Sequence, residues 1–218
     1  MVIRVRPAGP DDLNVLTQIV AEAFNVKMRV LFGRNRERTL SMLARMYRGP
    51  LTRGYDGLLL AEIDRQPVGA LAIEPMPWQS EDISALDVAI RTELSGWRQW
   101  WNRKGFSVFS HGPEDGDAYL TDVGVLKKAR GCGVGTALVR QAEAWAIAHK
   151  RRALSLWVAS NNRTARRLYE KVGMVAVRHE VSLTSGLLYG IFSWTYMRKS
   201  LISAEQFSSF GIATIKQV

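Results

Sequence analysis

The order of apolar and polar positions predicts alternating strands and helices in the first third of the chain. Residues 3–6 are typical of a short strand. Residues 10–24 open with an acidic turn and continue with apolar residues at helical spacing. Residues 36–47 have the same spacing, and we expect Gly49-Pro50 to end that helix. Residues 58–74 hold two apolar runs around a polar turn, which predicts a hairpin.

Residues 75–117 are typical of an insertion. Ser84 and Asp87 have the spacing of a capping box, which would begin a helix. Apolar and aromatic residues then repeat at helical spacing: Leu86, Ile90, Leu94, Trp97 and Trp101. We expect a helix here whose aromatic face lines a substrate pocket, contacts a second copy of the chain, or packs back on the sheet.

The remaining pattern predicts strands with one long helix between the first two. Residues 118–125 and 153–158 are typical of buried strands. Residues 174–183 and 190–197 indicate two final antiparallel strands, joined around Ser185-Gly186.

A glycine-rich turn follows the first of these buried strands, at Arg130-Gly131-Cys132-Gly133-Val134-Gly135-Thr136. Bare backbone N–H groups at a helix start, with an arginine at the edge, suit a phosphate. The sequence lacks the Gly-x4-Gly-Lys-Ser/Thr of a nucleoside triphosphate loop. It also lacks the third glycine position and the following acid of a dinucleotide turn. The glycines alone also fit an ordinary tight turn.

A second block decides between these alternatives. It has the pattern Asn162-x-x-Ala165-x-x-Leu168-Tyr169-Glu170-Lys171-x-Gly173-Met174. Together the two blocks resemble the GCN5-related N-acetyltransferase (GNAT) superfamily, with Met174 in place of the usual Phe. The resemblance is sharp over residues 118–174. It implies an α/β fold, with a central mixed twisted sheet of about seven strands flanked by helices. Residues 1–200 would form one acetyltransferase domain, with a helical insertion at 75–117, and residues 201–218 a C-terminal tail.

The resemblance implies acetyl-CoA as the cofactor and transfer of its acetyl group to an amine. The backbone of the glycine turn would hold the pyrophosphate. The N–H groups of Val123 and Val125 would bind the thioester carbonyl and the pantetheine arm, and Gly124 is consistent with a bulge. Tyr169 would protonate the departing thiolate, or is only a helix-face aromatic. The predicted cofactor-binding residues are Val123, Gly124, Val125, Arg130, Gly131, Cys132, Gly133, Val134, Gly135, Thr136, Asn162, Arg166 and Tyr169.

The general base is less defined, because Tyr119 stands near the position where the family often has a glutamate. The predicted catalytic residues besides Tyr169 are Asp122 and Glu74. Asp117 is a further candidate, and Glu62 and His111 are weaker ones. A structural carboxylate is the alternative for each, in which case water would carry the proton. No metal site is expected.

Composition limits the remaining function classes. The net charge is +10, and residues 118–180 hold 12 Lys/Arg against 4 Asp/Glu, where the phosphates of CoA would bind. Residues 75–117 hold 4 against 7, a weak indication of a cationic acceptor. One cysteine, Cys132, excludes an internal disulfide and fits a reducing cytoplasm. The chain has no apolar run near 18 residues, and no signal peptide is expected.

Three functions therefore stay open from the sequence. The first is an N-acetyltransferase acting on a primary amine of a small molecule or protein by direct attack on the thioester. The second is a non-catalytic acyl-CoA-binding or regulatory module of the same fold. The third is a basic nucleic-acid-binding protein, which the lack of any nucleic-acid motif disfavours. We expect no membrane or nucleic-acid partner, and a homodimer is compatible with the tryptophans of residues 97–101.

Overall fold

A seven-stranded sheet forms the centre of the molecule in the computed structural model, which describes residues 2–94, 96 and 114–201 without the side chains of residues 188 and 189. The strands are β1 (Ile3–Pro7), β2 (Leu58–Ile63), β3 (Gln66–Glu74), β4 (Ala118–Val125), β5 (Ala153–Ala159), β6 (Val175–Val181) and β7 (Ser193–Ser200). The described helices are α1 (Leu13–Ala23), α2 (Asn25–Phe32), α3 (Arg36–Thr52), α4 (Ser80–Glu93), α5 (Val134–Ala148), α6 (Arg163–Lys171) and α7 (Leu183–Tyr189). The predicted mixed α/β fold is confirmed.

The strand order is β1-β2-β3-β4-β5-β7-β6, and only β4 and β5 run parallel. These two central strands pair at Ala118 with Leu154 and at Tyr119 with Ser155, and at no later described residue. Because β4 continues to Val125 and β5 to Ala159, the two strands diverge and open a gap in the middle of the sheet. This gap positions the candidate site.

Each face of the sheet has its own apolar core. On one face, α5 buries Leu138 and Ala142 against side chains such as Leu71 of β3 and Leu154 of β5. On the other face, α1, α3 and α4 pack over Leu58 and neighbouring alternate residues of the hairpin. Strand side chains alternate between the two faces, so the central strands are apolar on both sides.

The N-terminal helices differ from the prediction in two ways. Helix α2 was not predicted. Helix α3 also continues past Gly49-Pro50, so the prediction that it ends there is wrong. The proline lies close to the helix end, and Leu51 beyond it is buried, which offsets the lost N–H bond. The end is closed by hydrogen bonds from the N–H of Arg53 to Gly49 O and from the N–H of Tyr55 to Pro50 O, at 3.1 and 3.0 Å.

The insertion contains the predicted helix, but it begins earlier than predicted. Helix α4 starts at Ser80, where the N–H of Gln79 donates to the carboxylate of Asp82. Asp87 is not a cap but accepts from Arg91 one turn later. Ile90 is buried in the helical layer, so the described part of the insertion packs against the protein itself. Trp97 and Trp101 lie outside the described residues, as does the tail beyond residue 201.

The last two strands are joined by helix α7 instead of a tight turn at Ser185-Gly186. Ser182 caps this helix, accepting from the N–H of Ser185 at 3.2 Å. The buried hydroxyl of Ser185 donates to Ile191 O at 2.6 Å and accepts from Trp194 Nε1 at 2.9 Å. These hydrogen bonds attach α7 to the start of β7.

Candidate active site

A cavity of about 360 Å³ occupies the gap between the diverging strands. Residues 119–123 of β4 form one wall and residues 156–159 of β5 the other. Asn162, Ala165 and Tyr169 of α6 and its cap close one end. Phe24 and Lys27, together with Glu180, Ser182, Ser185, Ile191 and Trp194, complete the lining. The cavity therefore brings Asp122, Val123, Asn162 and Tyr169 together.

Strand β4 carries a bulge where it borders the cavity. Thr121 pairs with Ala72 and Gly124 with Ala70, so Asp122 and Val123 oppose one residue of β3. Asp122 has φ of 47°, in the left-handed region that non-glycine residues rarely adopt. A bulge in this part of β4 is therefore confirmed, and it lies directly before Gly124.

Gly124 has a different role, in packing. A Cβ on this residue would lie 2.7 Å from Ala23 Cβ and 3.2 Å from Phe24 Cε2. The end of α1 therefore sits directly on the backbone of β4, and only a glycine leaves room for it.

The Asp122 carboxylate is fixed by two partners from different helices. The hydroxyl of Tyr47 donates to Oδ2 at 2.5 Å, and Lys27 Nζ lies 3.6 Å from Oδ1. Tyr47 is completely buried, and burial together with the Asp122 charge raises its pKa well above the usual value. Its proton therefore stays on the phenol and holds the carboxylate in one orientation.

Glu74 lies next to this cluster but does not line the cavity. It is opposite Tyr119 in the strand register. Burial raises its pKa, the Asp122 charge adds to this rise, and Lys27 opposes it. Tyr119 lines the cavity, and its pKa is raised by burial first and then by the Glu74 charge.

Two other candidate bases are held in ion pairs away from the cavity. Asp117 is buried and accepts two hydrogen bonds from Arg198, both at 2.9 Å. Glu62 accepts from Arg6 Nε at 2.8 Å on the opposite edge of the sheet. These arrangements support structural roles for both residues. His111 lies outside the described residues.

Tyr169 reaches the cavity from α6 with 7% of its surface exposed. Burial raises its pKa to about 12, and its hydroxyl has no hydrogen-bond partner among the residues that the structure describes. Asn162 caps the same helix, because its Oδ1 accepts from the N–H of Ala165 at 3.2 Å. Both predicted residues therefore border the cavity.

Glycine is required in the turn before α5 for two different physical reasons. Gly131 and Gly133 have φ of 79° and 87°, which favours glycine, and nothing lies within 4 Å of a Cβ built on Gly131. Gly135 has an ordinary backbone, but a Cβ there would lie 2.6 Å from Leu168 Cδ1. The first two glycines shape the turn, and the third lets α5 and α6 approach each other.

The turn also presents unused hydrogen-bond donors. Among the described residues, no acceptor receives the backbone N–H groups of residues 131–136. The guanidinium of Arg130 donates to Val125 O at 3.1 Å, which joins the turn to the end of β4. Free N–H groups at a helix N-terminus suit an anion, so this turn fits the phosphates of a CoA ester. The Cys132 thiol lies 3.9 Å from Arg130 O and packs partly against the core.

The Arg166 side chain contacts residues of α6 and of the segment just before it. Its side chain lies 3.5 Å from Ser160 O and 3.7 Å from a Glu170 carboxylate oxygen. The structure thus places it beside the start of the helix, and a contact with CoA phosphates stays a prediction.

Several residues of the cavity were not found by sequence reasoning. Phe24 and Lys27 come from the junction of α1 with the unpredicted helix α2, and Tyr47 reaches Asp122 from α3. Trp157 and Trp194 add aromatic walls. A helical signal over residues 25–32 would have been needed to place Lys27, and charged residues interrupt the apolar pattern there.

The fold and the site together define a class of protein, the mixed α/β proteins with a cavity in a strand gap and a glycine-rich turn suited to phosphate. The model of the Acetyltransferase (GNAT) family matches residues 28–174, about two thirds of the chain. The chain belongs to this family, and acetyl-CoA is its cofactor.

The individual relatives have low sequence identity to this chain. A protein of Archaeoglobus fulgidus described as an uncharacterized N-acetyltransferase is 25% identical over 167 residues, which span 77% of this chain and 89% of that protein. A solved acetyltransferase is similar with a TM-score of 0.62 and 21% identity, covering 91% of this chain and all of the other. The protein yncA from Salmonella typhimurium, solved with its cofactor acetyl-CoA, has a TM-score of 0.58 and 17% identity, covering 93% and 96%. These structures support the fold.

The part of the chain that the structure describes contains no helix long and apolar enough to cross a membrane.

Proposed function

We propose that the protein is an N-acetyltransferase that moves the acetyl group of acetyl-CoA to a primary amine of a small molecule or protein by direct attack on the thioester. One observation carries this proposal: Asp122, Tyr169 and the capping residue Asn162 line a single cavity in the gap between β4 and β5. Acetyl-CoA is consumed as the acyl donor and supplies an activated carbonyl with a thiolate leaving group.

The free N–H groups of residues 131–136 would hold the phosphates of the donor. The side of β4 that faces the gap has no strand partner beyond Tyr119. Since Leu126 N–H donates to β3, the N–H of Val125 turns the other way, into the gap. This supports the predicted role of the Val125 N–H as a hydrogen-bond donor to the pantetheine arm or the thioester carbonyl of acetyl-CoA.

Asp122 is the stronger candidate for the base. It lines the cavity, its side chain is 11% exposed, and Tyr47 fixes its orientation. Glu74 is not among the residues that line the cavity. A base has to be within hydrogen-bond reach of the proton it takes, directly or through one water. Asp122, which lines the cavity, meets this condition better than Glu74 does.

Tyr169 is suited to the opposite task. Since its pKa is raised to about 12, its hydroxyl keeps its proton at neutral pH. A protonated phenol at the cavity wall can give that proton to a leaving thiolate. The predicted cytoplasmic location and homodimer stay predictions.

The test is a transfer assay with a panel of primary amines, reading release of the CoA thiol and acetylation of the amine by mass spectrometry. We expect acetylated amine in equal amount to the released thiol, and a loss of rate of about 10²–10⁴-fold in Asp122→Asn. Acetyl-CoA binding without transfer to any amine would instead favour the non-catalytic acyl-CoA-binding module.

A further inference from the structure

The chain itself supplies an ammonium group at the wall of the cavity. Lys27 lines the cavity from α2. Its Nζ lies 3.6 Å from Asp122 Oδ1 and 5.7 Å from the centre of the Phe24 ring. A carboxylate and an aromatic face are two groups that attract an alkylammonium ion. Asp122 and Phe24 therefore form an ammonium site, and Lys27 occupies it.

The two walls of this site are held by neighbouring residues, while its occupant is half-exposed. Tyr47 holds the Asp122 carboxylate, and Phe24 is held against the backbone of β4 at Gly124. The side chain of Lys27 is 46% exposed, and its four-carbon stem is flexible. Its nitrogen can therefore move by small rotations without disturbing the walls.

We infer that Lys27 is a self-acetylation site, whose Nζ receives the acetyl group within its own molecule. This inference rests on the proposed function. The nitrogen lies beside the carboxylate proposed as base, and Val123, the next residue along β4, lines the same cavity. A reactant that is tethered in the cavity needs no encounter from solution, which favours this reaction over transfer to an exposed lysine.

The chemistry balances with the groups already described. The Lys27 ammonium first loses one proton to Asp122, and the neutral nitrogen attacks the thioester carbonyl carbon. An N–C bond forms and the C–S bond breaks, with the electron pair leaving on sulfur. The thiolate takes a proton from Tyr169, the nitrogen gives its second proton through water to the Tyr169 phenolate that results, and Asp122 passes the first proton to solvent. The products are Nε-acetyl-Lys27, CoA and one proton released to solvent.

The test is peptide mass spectrometry of the purified protein after incubation with acetyl-CoA. We expect one acetyl group on Lys27, formed at least about a hundredfold faster than on exposed Lys171 at the end of α6. The modification is lost in Lys27→Arg and kept in the matched variant Lys171→Arg. Its first-order rate constant does not change with protein concentration. A rate that rises with protein concentration would show transfer between molecules and overturn the inference.

A second readout uses the protein without acetyl-CoA. Trace labelling with acetic anhydride reports the intrinsic reactivity of each lysine, and we expect no comparable preference for Lys27 over Lys171. An equal preference with both reagents would mean that Lys27 is only a reactive lysine. In Asp122→Asn, thermal unfolding and acetyl-CoA binding show whether the protein is intact, and acetylation of Lys27 by acetyl-CoA falls in the intact variant.

Failure of this inference can be told apart from failure of the proposed function. Transfer to an external amine with Lys27 unmodified would overturn the inference and leave the function standing. Acetylated Lys27 with no transfer to any amine would support self-acetylation and contradict the wider function. No acetyl group on either would overturn both.

Discussion

The close contact of α1 with β4 gives a prediction that follows from distances. In Gly124→Ala the new methyl would lie 2.7 Å from Ala23 Cβ, a separation that two such atoms do not tolerate. The Ala23 methyl is attached directly to the helix backbone, so the end of α1 has to move. Overpacking of this kind costs about 1–3 kcal/mol. For a protein of this size, Tm would fall by about 2–12 °C.

The assay is thermal unfolding followed by circular dichroism or calorimetry, with Ala23→Gly as the partner variant. Ala23→Gly alone should cost at most about 0.5–1 kcal/mol, the loss for a glycine inside a helix, because Ala23 is the last residue of α1. In the double variant the two methyls no longer collide, so its loss should be smaller than the sum of the single losses by about 0.5–3 kcal/mol. An unchanged Tm in Gly124→Ala, or simple additivity in the double variant, would refute the reasoning.

Three further predictions concern titratable residues of the sheet and cavity. Tyr169→Phe should lower kcat more than it lowers the affinity for acetyl-CoA, and an unchanged kcat would exclude Tyr169 as the acid. Because burial raises the pKa of Tyr169 to about 12, the stability that its protonated phenol contributes should be present below about pH 10 and decline toward pH 12, which pH-dependent unfolding measures. Because the pKa of Glu74 is raised, ionisation of its carboxyl opposes folding, so Glu74→Gln should raise Tm at pH 7, and this gain should disappear below about pH 4. Glu74→Gln should also reduce kcat/KM less than Asp122→Asn does. The reverse order of the two kcat/KM losses would assign the base to Glu74. Asp117→Ala should cost about 1.5–3 kcal/mol in denaturant unfolding, because it removes both hydrogen bonds between the buried carboxylate and Arg198. Glu114→Ala removes the more exposed and more distant partner of Arg198 and serves as the control. Equal losses in the two variants would contradict the pairing.

Local signals in the sequence were enough to predict the glycine-rich turn and the strands beside it. Gly131 and Gly133 need a backbone conformation that glycine favours, so their spacing carries structural information directly. The cap at Asn162 is likewise local, since donor and acceptor are three residues apart. The divergence of β4 from β5, in contrast, entered only through the resemblance to a family.

Contacts between distant residues could not be predicted in the same way. Tyr47 and Asp122 are 75 positions apart, and nothing in their spacing indicates that a phenol orients this carboxylate. A glycine in a strand is the usual sign of a bulge, and the bulge in β4 lies directly before Gly124, at Asp122 and Val123. In the structure that glycine accommodates α1. Helix α2 has a mixed charged and apolar pattern that does not indicate a helix. The position of Lys27 at the cavity could therefore not be predicted either.

The central claim is that the turn before α5 binds acetyl-CoA, and one titration tests it directly. Thermal unfolding is followed with increasing acetyl-CoA in the wild type, Gly133→Glu and Gly54→Glu. The control residue Gly54 has φ of 74°, close to the 87° of Gly133, and neither site is crowded, so both variants carry similar strain and the same added charge. At about 100 times the Kd the ligand should add about 2.7 kcal/mol and raise Tm by roughly 5–11 °C. We predict this rise in the wild type and in Gly54→Glu, and none in Gly133→Glu. An equal rise in all three proteins, or no rise in the wild type, would contradict the account.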